Sequence, residues 1–225
     1  NVFINELNIE RYIEAKGGSS PHSITYLKPR ELIAIGDHQG FLNIYDGNNF
    51  KRISTTCIDS QNRYGIKHIH IVKYAPQRDL LFYATTDNAI KISKVSKEGK
   101  LKLLKTIVGH NTVVQSILIL EEKSLFISSE WGPNLKIWDL KSLTPKDIIR
   151  TKGMQHTGRE MVYLPKYNLI AVAFQDGYIG LYDLETKNPF YHLPTHSQHC
   201  AINSVLYLEN KNLLVVVISS GQIKC

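Results

Sequence analysis

Three histidines and a cysteine of metal-binding type crowd one short stretch, His192, His196, His199 and Cys200. Imidazole and thiolate are the ligands of tetrahedral zinc sites. No CxxC spacing accompanies them, and a polar connecting loop with one histidine turned inward as a cap accounts for the same letters. His110, Ser128 and Asp176 supply the residue types of nucleophilic hydrolysis. Ser128, however, falls inside a strand-like core run, and no GxSxG elbow is present to raise its hydroxyl towards a substrate. From Arg63 to His70 basic and aromatic residues mix, the composition found where phosphate contacts meet base stacking. Neither a P-loop nor a GxGxxG occurs, so there is no nucleotide cradle. The expectation is a chain with no catalytic residue, no metal and no cofactor.

What must position these residues follows from a repeat. Leu32, Leu80, Leu125, Leu169 and Leu213 each open a β-type run, at spacings of 48, 45, 44 and 44 residues. Thirteen positions after the first four stand Tyr45, Ser93, Trp138 and Tyr182. Insertions fall outside these blocks, as they must if each block is a strand, a tight turn and a strand, because a one-residue slip would turn every side chain over. A strand-like segment precedes each block, with Tyr26, Tyr74, Ile119, Tyr163 and Tyr207 at matching places. A further strand follows, the first of them expected over Phe50 to Ile53 after an Asp46-Gly47 hairpin signal. The units run approximately over 24–56, 69–107, 113–150, 160–193 and 202–225, and residues 1–16 read as the outer strand of a neighbouring unit. No stretch sustains a 3.6-residue apolar period, so helices should be minor.

One unit, Gly109 to Leu140, opens on Gly109-His110 and closes on Trp138-Asp139. That bracket and the period near 44 residues resemble the WD40-repeat β-propeller family. The resemblance implies an all-β chain, a single propeller region over residues 1–225 with about five four-stranded blades, part of a larger seven-bladed ring. Dense apolar runs agree with sheets covered on both faces, which only stacking of the repeats can provide.

The resemblance also implies a buried network. Its histidine, hydroxyl and Trp are His110, Ser128 and Trp138, beside Asp139; the position of its turn aspartate is Gly132 in this unit and Asp176 in the fourth. Family partners bind on the narrow face, at the turn between the second and third strands and just ahead of the first. Those turn positions are His38, Thr86, Trp131, Gln175 and Ser219, with Arg159 and His70 before their first strands. Trp131 leads the set, since an exposed tight turn gives a Trp little structural reason to be there and Trp is enriched in binding hot spots.

Function is therefore expected to be a non-enzymatic scaffold that holds peptide or protein partners on the rim and narrow face, within a multiprotein complex. The alternative is an RNA- or DNA-associated subunit of a ribonucleoprotein or chromatin complex, favoured by a net charge of +7. No apolar run approaches membrane-spanning length. Three cysteines, an odd number, argue against a disulfide framework and for a reducing, cytoplasmic setting.

Overall fold

Alternation decides the architecture, strand by strand. In the computed structural model, which describes residues 20–58, 68–151, 157–194 and 200–225, the chain forms nineteen strands joined in sequence order into five antiparallel sheets. Blade one holds β1 (Pro21–Leu27), β2 (Leu32–Asp37), β3 (Phe41–Asp46) and β4 (Arg52–Cys57). Blade two holds β5 (Ile69–Ala75), β6 (Leu80–Thr85), β7 (Ala89–Val95) and β8 (Leu101–Val108). Blade three holds β9 (Val114–Leu120), β10 (Leu125–Glu130), β11 (Asn134–Asp139) and β12 (Thr144–Arg150). Blade four holds β13 (Gly158–Leu164), β14 (Leu169–Phe174), β15 (Tyr178–Asp183) and β16 (Pro189–Pro194). Blade five holds β17 (Ile202–Leu208), β18 (Leu213–Ile218) and β19 (Ile223–Lys224). Together they make a five-bladed propeller. The segment 1–16 lies outside the described residues.

Four apolar clusters fill the gaps between successive blades. Side chains of β6 alternate between two of them, Leu81 and Tyr83 packing towards blade one and Phe82 and Ala84 towards blade three. Period-two alternation with both faces covered is why that strand reads as an unbroken apolar run. The outward faces of the first and last blades are less covered, with Ile24 65%, Tyr26 50% and Leu206 56% exposed.

A repeated polar device closes each first hairpin. One 3-10 turn, or in blade two a plain turn, is followed by a left-handed residue: Glu31, Asp79, Ser124, Asn168 and Asn212, at φ of 53°, 54°, 51°, 55° and 50°. Asn and Asp tolerate that conformation because a short polar side chain can bond locally. The recurring tyrosines supply the bond: Tyr74 donates to Asp79 at 2.8 Å, Tyr163 to Asn168 at 3.0 Å and Tyr207 to Asn212 at 2.8 Å. Arg30 of blade one adds a bond to Asp79 of blade two at 2.9 Å, tying neighbouring blades.

The outer strand of blade one begins later than Phe50. The Asp46 carboxylate accepts the Asn48 and Asn49 N–H groups at 2.8 and 3.0 Å, and Phe50 sits at φ 59°. A carboxylate that caps the turn extends it, so Arg52 rather than Phe50 starts β4. Helical content is confined to four 3-10 turns among the described residues.

Candidate functional site

The turn face of the disc is built by a register shift common to all five blades. Each first strand carries one extra residue near its start: His22, His70, Gln115, Arg159 and Asn203. A bulge of this kind leaves its extra residue unpaired and re-aims the side chain. Two residues earlier in every blade a carbonyl accepts the N–H of the turn after the second strand. His38 bonds Ser20, Thr86 bonds His68, Trp131 bonds Val113, Gln175 bonds Thr157 and Ser219 bonds Ala201, at 3.1, 3.1, 3.2, 3.1 and 2.8 Å. Every turn position read from the sequence thus sits beside a bulge on the same face. Arg159 and His70 are themselves bulge residues, and Arg159 donates to Asn203 of the next blade at 3.4 Å.

Trp131 stands out on this face. Its N–H and carbonyl are both held, the latter by the Thr112 hydroxyl at 2.7 Å, while its side chain leaves the residue 60% exposed. With its backbone fixed, the uncovered indole would lose little ordering entropy in any contact it made. Gln175, Ser219 and Arg159 are also exposed, whereas His38, Thr86 and His70 are half-buried.

Between blades one and two the same geometry gathers four imidazoles. His22 lies 4.5 Å from His38 and 5.1 Å from His70, and His68 lies 4.8 Å from His38 and 6.5 Å from His70, ring centre to ring centre. Burial, and then the neighbouring imidazoles, hold His22 and His70 below the ordinary histidine range, which keeps them neutral near pH 7. His68 Nδ1 is buried without a partner. Among the described residues no group of three His, Cys, Asp or Glu side chains is placed to hold a metal ion. The sequence does not single out His22, and takes in His68 only within the Arg63 to His70 stretch, yet the five bulge residues repeat at the same 48, 45, 44 and 44 spacings as the leucines, and so do the carbonyl positions two residues before each, of which His68 is one. That shared cadence is the signal that finds them.

Behind the turn of blade three lies the buried network. Trp138 Nε1 donates to Ser128 Oγ at 2.7 Å, and Ser128 Oγ lies 2.7 Å from His110 Nε2. His110 Nδ1 meets Glu130 Oε2 at 3.0 Å, and the Asn111 N–H donates to the same oxygen at 2.8 Å. Burial holds the His110 imidazole below its ordinary range despite the carboxylate beside it. Neutral His110 therefore gives its Nδ1–H to Glu130, which leaves Nε2 to accept the Ser128 proton. Glu130 closes the circuit that Gly132 leaves open: two residues earlier in the chain, its longer side chain reaches the same imidazole from the end of β10. Asp139 takes no part, its carboxylate capping the Lys141 and Ser142 N–H groups at 3.0 and 2.7 Å. Asp176 also stays outside the network, with Oδ1 buried and unbonded.

Serine, histidine and carboxylate in a row copy the relay of a nucleophilic hydrolase. Ser128 is 0% exposed and its oxygen already accepts the indole N–H. No substrate carbon can reach it. Of the metal-type residues, His192 bonds the Tyr182 hydroxyl at 3.3 Å on the outer strand of blade four, and His196 and His199 lie outside the described residues. So do residues 63–67 of the basic and aromatic stretch.

Five blades, one tryptophan pinned by a serine and a histidine, and a common turn face are now in place. The chain is a β-propeller that resembles the WD40-repeat family. It is 24% identical over 195 residues to a WD repeat-containing protein 55 homolog of Drosophila persimilis, covering 86% of this chain and 36% of that protein. The Drosophila melanogaster homolog of the same name is 20% identical over 200 residues, 89% of this chain and 38% of its own length. Restriction of telomere capping protein 1 of Candida albicans is 21% identical over 184 residues, 69% of this chain and 17% of that protein. The propeller chain thus spans well under half the length of these relatives. No family model matches it.

Proposed function

We propose that this propeller is a non-enzymatic scaffold that binds peptide or protein partners on its turn face and rim. The observation that carries the reading is the recurrent clamp under each turn, which holds five unlike side chains on one face and leaves Trp131 uncovered. Variable residues on a common rigid frame suit recognition rather than turnover. The sealed Ser128 hydroxyl supports the non-enzymatic half.

The partner-binding set is Trp131 with Gln175, Ser219 and Arg159 at the surface and His38, Thr86 and His70 half-buried beside them. The uncovered faces of blades one and five support further blades completing a larger ring, and the described cysteines are unpaired, which supports a reducing compartment. No helix among the described residues is long and apolar enough to cross a membrane. The test is capture from cell extract with the immobilised chain, compared with Trp131→Ala and Arg159→Ala. The reading requires both variants to lose the same specific partners. Identical captured sets from all three would remove the turn face.

Positive charge favours a second reading, an RNA- or DNA-associated subunit. The net charge of +7 supports it, and one of the relatives carries telomere capping in its name. Counterion release separates the two: nucleic-acid binding that falls steeply between low and moderate salt supports the second reading.

A further inference from the structure

Away from the turn face, a groove of about 380 Å³ runs along the rim between the outer strands of blades two and three. Ile107, Trp138 and Leu143 form its floor, and Val108 and Ile148 line its lips at 79% and 47% exposed. Gly109 keeps it open above the indole, since a Cβ there would stand 3.3 Å from the Trp138 ring. Lysines usually protect exposed strand edges against pairing with other chains. They do not account for two large exposed apolar residues at the mouth of one cleft.

Charge around the groove is net positive. Lys105 and Lys136 line it, Lys136 paired with Glu130 at 3.4 Å, and Lys102 and Lys146 stand on the same outer strands. Its one lining carboxylate, Asp147, is occupied by Lys187 at 2.8 Å. Lys105 Nζ donates to the Ser142 carbonyl at 3.2 Å, which holds the ammonium at the groove wall. An apolar slot beside the Lys105 ammonium, which has no carboxylate partner among the described residues, accepts an apolar side chain carried by an acidic segment, and electrostatic complementarity selects that sign of partner.

We infer that this rim groove is a docking site for an acidic peptide segment that buries an aliphatic or aromatic anchor over Trp138. The inference rests on the scaffold reading and is independent of the turn face. Two tryptophans in the chain make it testable, because Trp131→Phe leaves Trp138 as the sole indole reporter. The probe is a fluorescein-labelled synthetic peptide with a Leu-Phe pair flanked by Asp and Glu. Controls carry Lys in place of the acids, or Ala in place of the Leu-Phe pair.

Saturable anisotropy with the acidic peptide and a change in Trp138 emission are expected, with neither control binding. Lys105→Glu and Val108→Asp, both at surface positions, should each weaken the complex about tenfold or more, and Ile148→Asp should repeat the effect. Trp131→Phe should leave affinity unchanged. Equal binding by the Lys-substituted control, unaltered affinity in all three groove variants, or no binding overturns the groove. So does displacement of the peptide by a single-stranded oligonucleotide with loss of oligonucleotide binding in the same variants. Binding lost only in Trp131→Phe would move the peptide to the turn face, sinking the groove while sparing the scaffold.

Discussion

Blades two and three solve the same packing problem with the roles of two positions exchanged. In blade three the serine is on the second strand and the aromatic ring on the third, Trp138 Nε1 donating to Ser128 at 2.7 Å. In blade two the ring is on the second strand and the serine on the third, with Tyr83 Oη 3.1 Å from Ser93 Oγ. Each pair joins the same two repeat positions, three and thirteen residues after the opening leucine. What these two blades share is one buried aromatic and one hydroxyl to satisfy it, since an unpaired polar atom at that depth costs more than the bond gains. Between these two blades, which strand supplies which is exchanged. Blade four keeps the ring on its third strand as Tyr182, folded over Gly180, where any Cβ would come within 2.6 Å of the ring.

The largest break is expected from the bigger ring. Trp138→Ala removes an indole that stacks on Phe126 and leaves Ser128 and His110 facing a void. Its cost should be about 3–5 kcal/mol, read from urea unfolding. Ser128→Ala should follow at about 1–3 kcal/mol, because two buried groups lose their partner at once. Ser93→Ala strands only the Tyr83 hydroxyl and should cost about 1 kcal/mol. A cost for Ser93→Ala that equals or exceeds that of Ser128→Ala would mean the two pairs are not equivalent solutions.

Proton uptake should separate the blades by sign. Burial holds His110 below 6.5, so the unfolded chain binds more protons than the folded one just under that pH. Stability from blade three is therefore full above 6.5 and is lost as pH falls through the lower folded value. Burial pushes Glu130 upward, but the Asn111 N–H and His110 outweigh it and hold the carboxyl below 4.5, which adds a further loss in stronger acid. In blade two burial raises the Tyr83 hydroxyl above 10.0, against a smaller opposing effect of its bond to Ser93. The folded state then favours the protonated phenol, and stability present below pH 10 is lost as pH rises through the raised value. Unfolding midpoints measured across pH should show His110→Gln flattening the acid limb and Tyr83→Phe the alkaline one. Each limb keeps a remainder, since His22 and His70 share the sign of His110, and Tyr74, raised to about 12, shares that of Tyr83.

The contrast also marks how far letters alone carry. Leucine spacing located the blades, because one opening residue per sheet is a property of the chain and not of its neighbours. The recurring tyrosines were visible as a pattern, but their bonds to Asp79, Asn168 and Asn212 needed the hairpin to close. Glu130 escapes a position-by-position reading, because the requirement is for a carboxylate near an imidazole, met by any side chain long enough to arrive there. The bulge residues were half seen, Arg159 and His70 as positions before a strand, and the reason they share a face appeared only with the register shift.

The smallest effect on stability should come from the other tryptophan of blade three. Trp131 is 60% exposed where Trp138 is 3% exposed, and the hydrogen bonds at its turn run through the backbone and survive truncation of the side chain. Trp131→Ala should shift the urea midpoint by the equivalent of about 0.5 kcal/mol or less. The remaining fluorescence should then be blue-shifted and poorly quenched by acrylamide, as expected of an indole between Phe126 and His110. Loss of partner capture without loss of stability would establish the indole as a contact, because a side chain that packs on its own fold cannot be removed without thermodynamic consequence. A destabilisation comparable to that of Ser128→Ala would instead place Trp131 among the residues that hold the turn, and the case for recognition on this face would have to rest on Arg159 and Gln175.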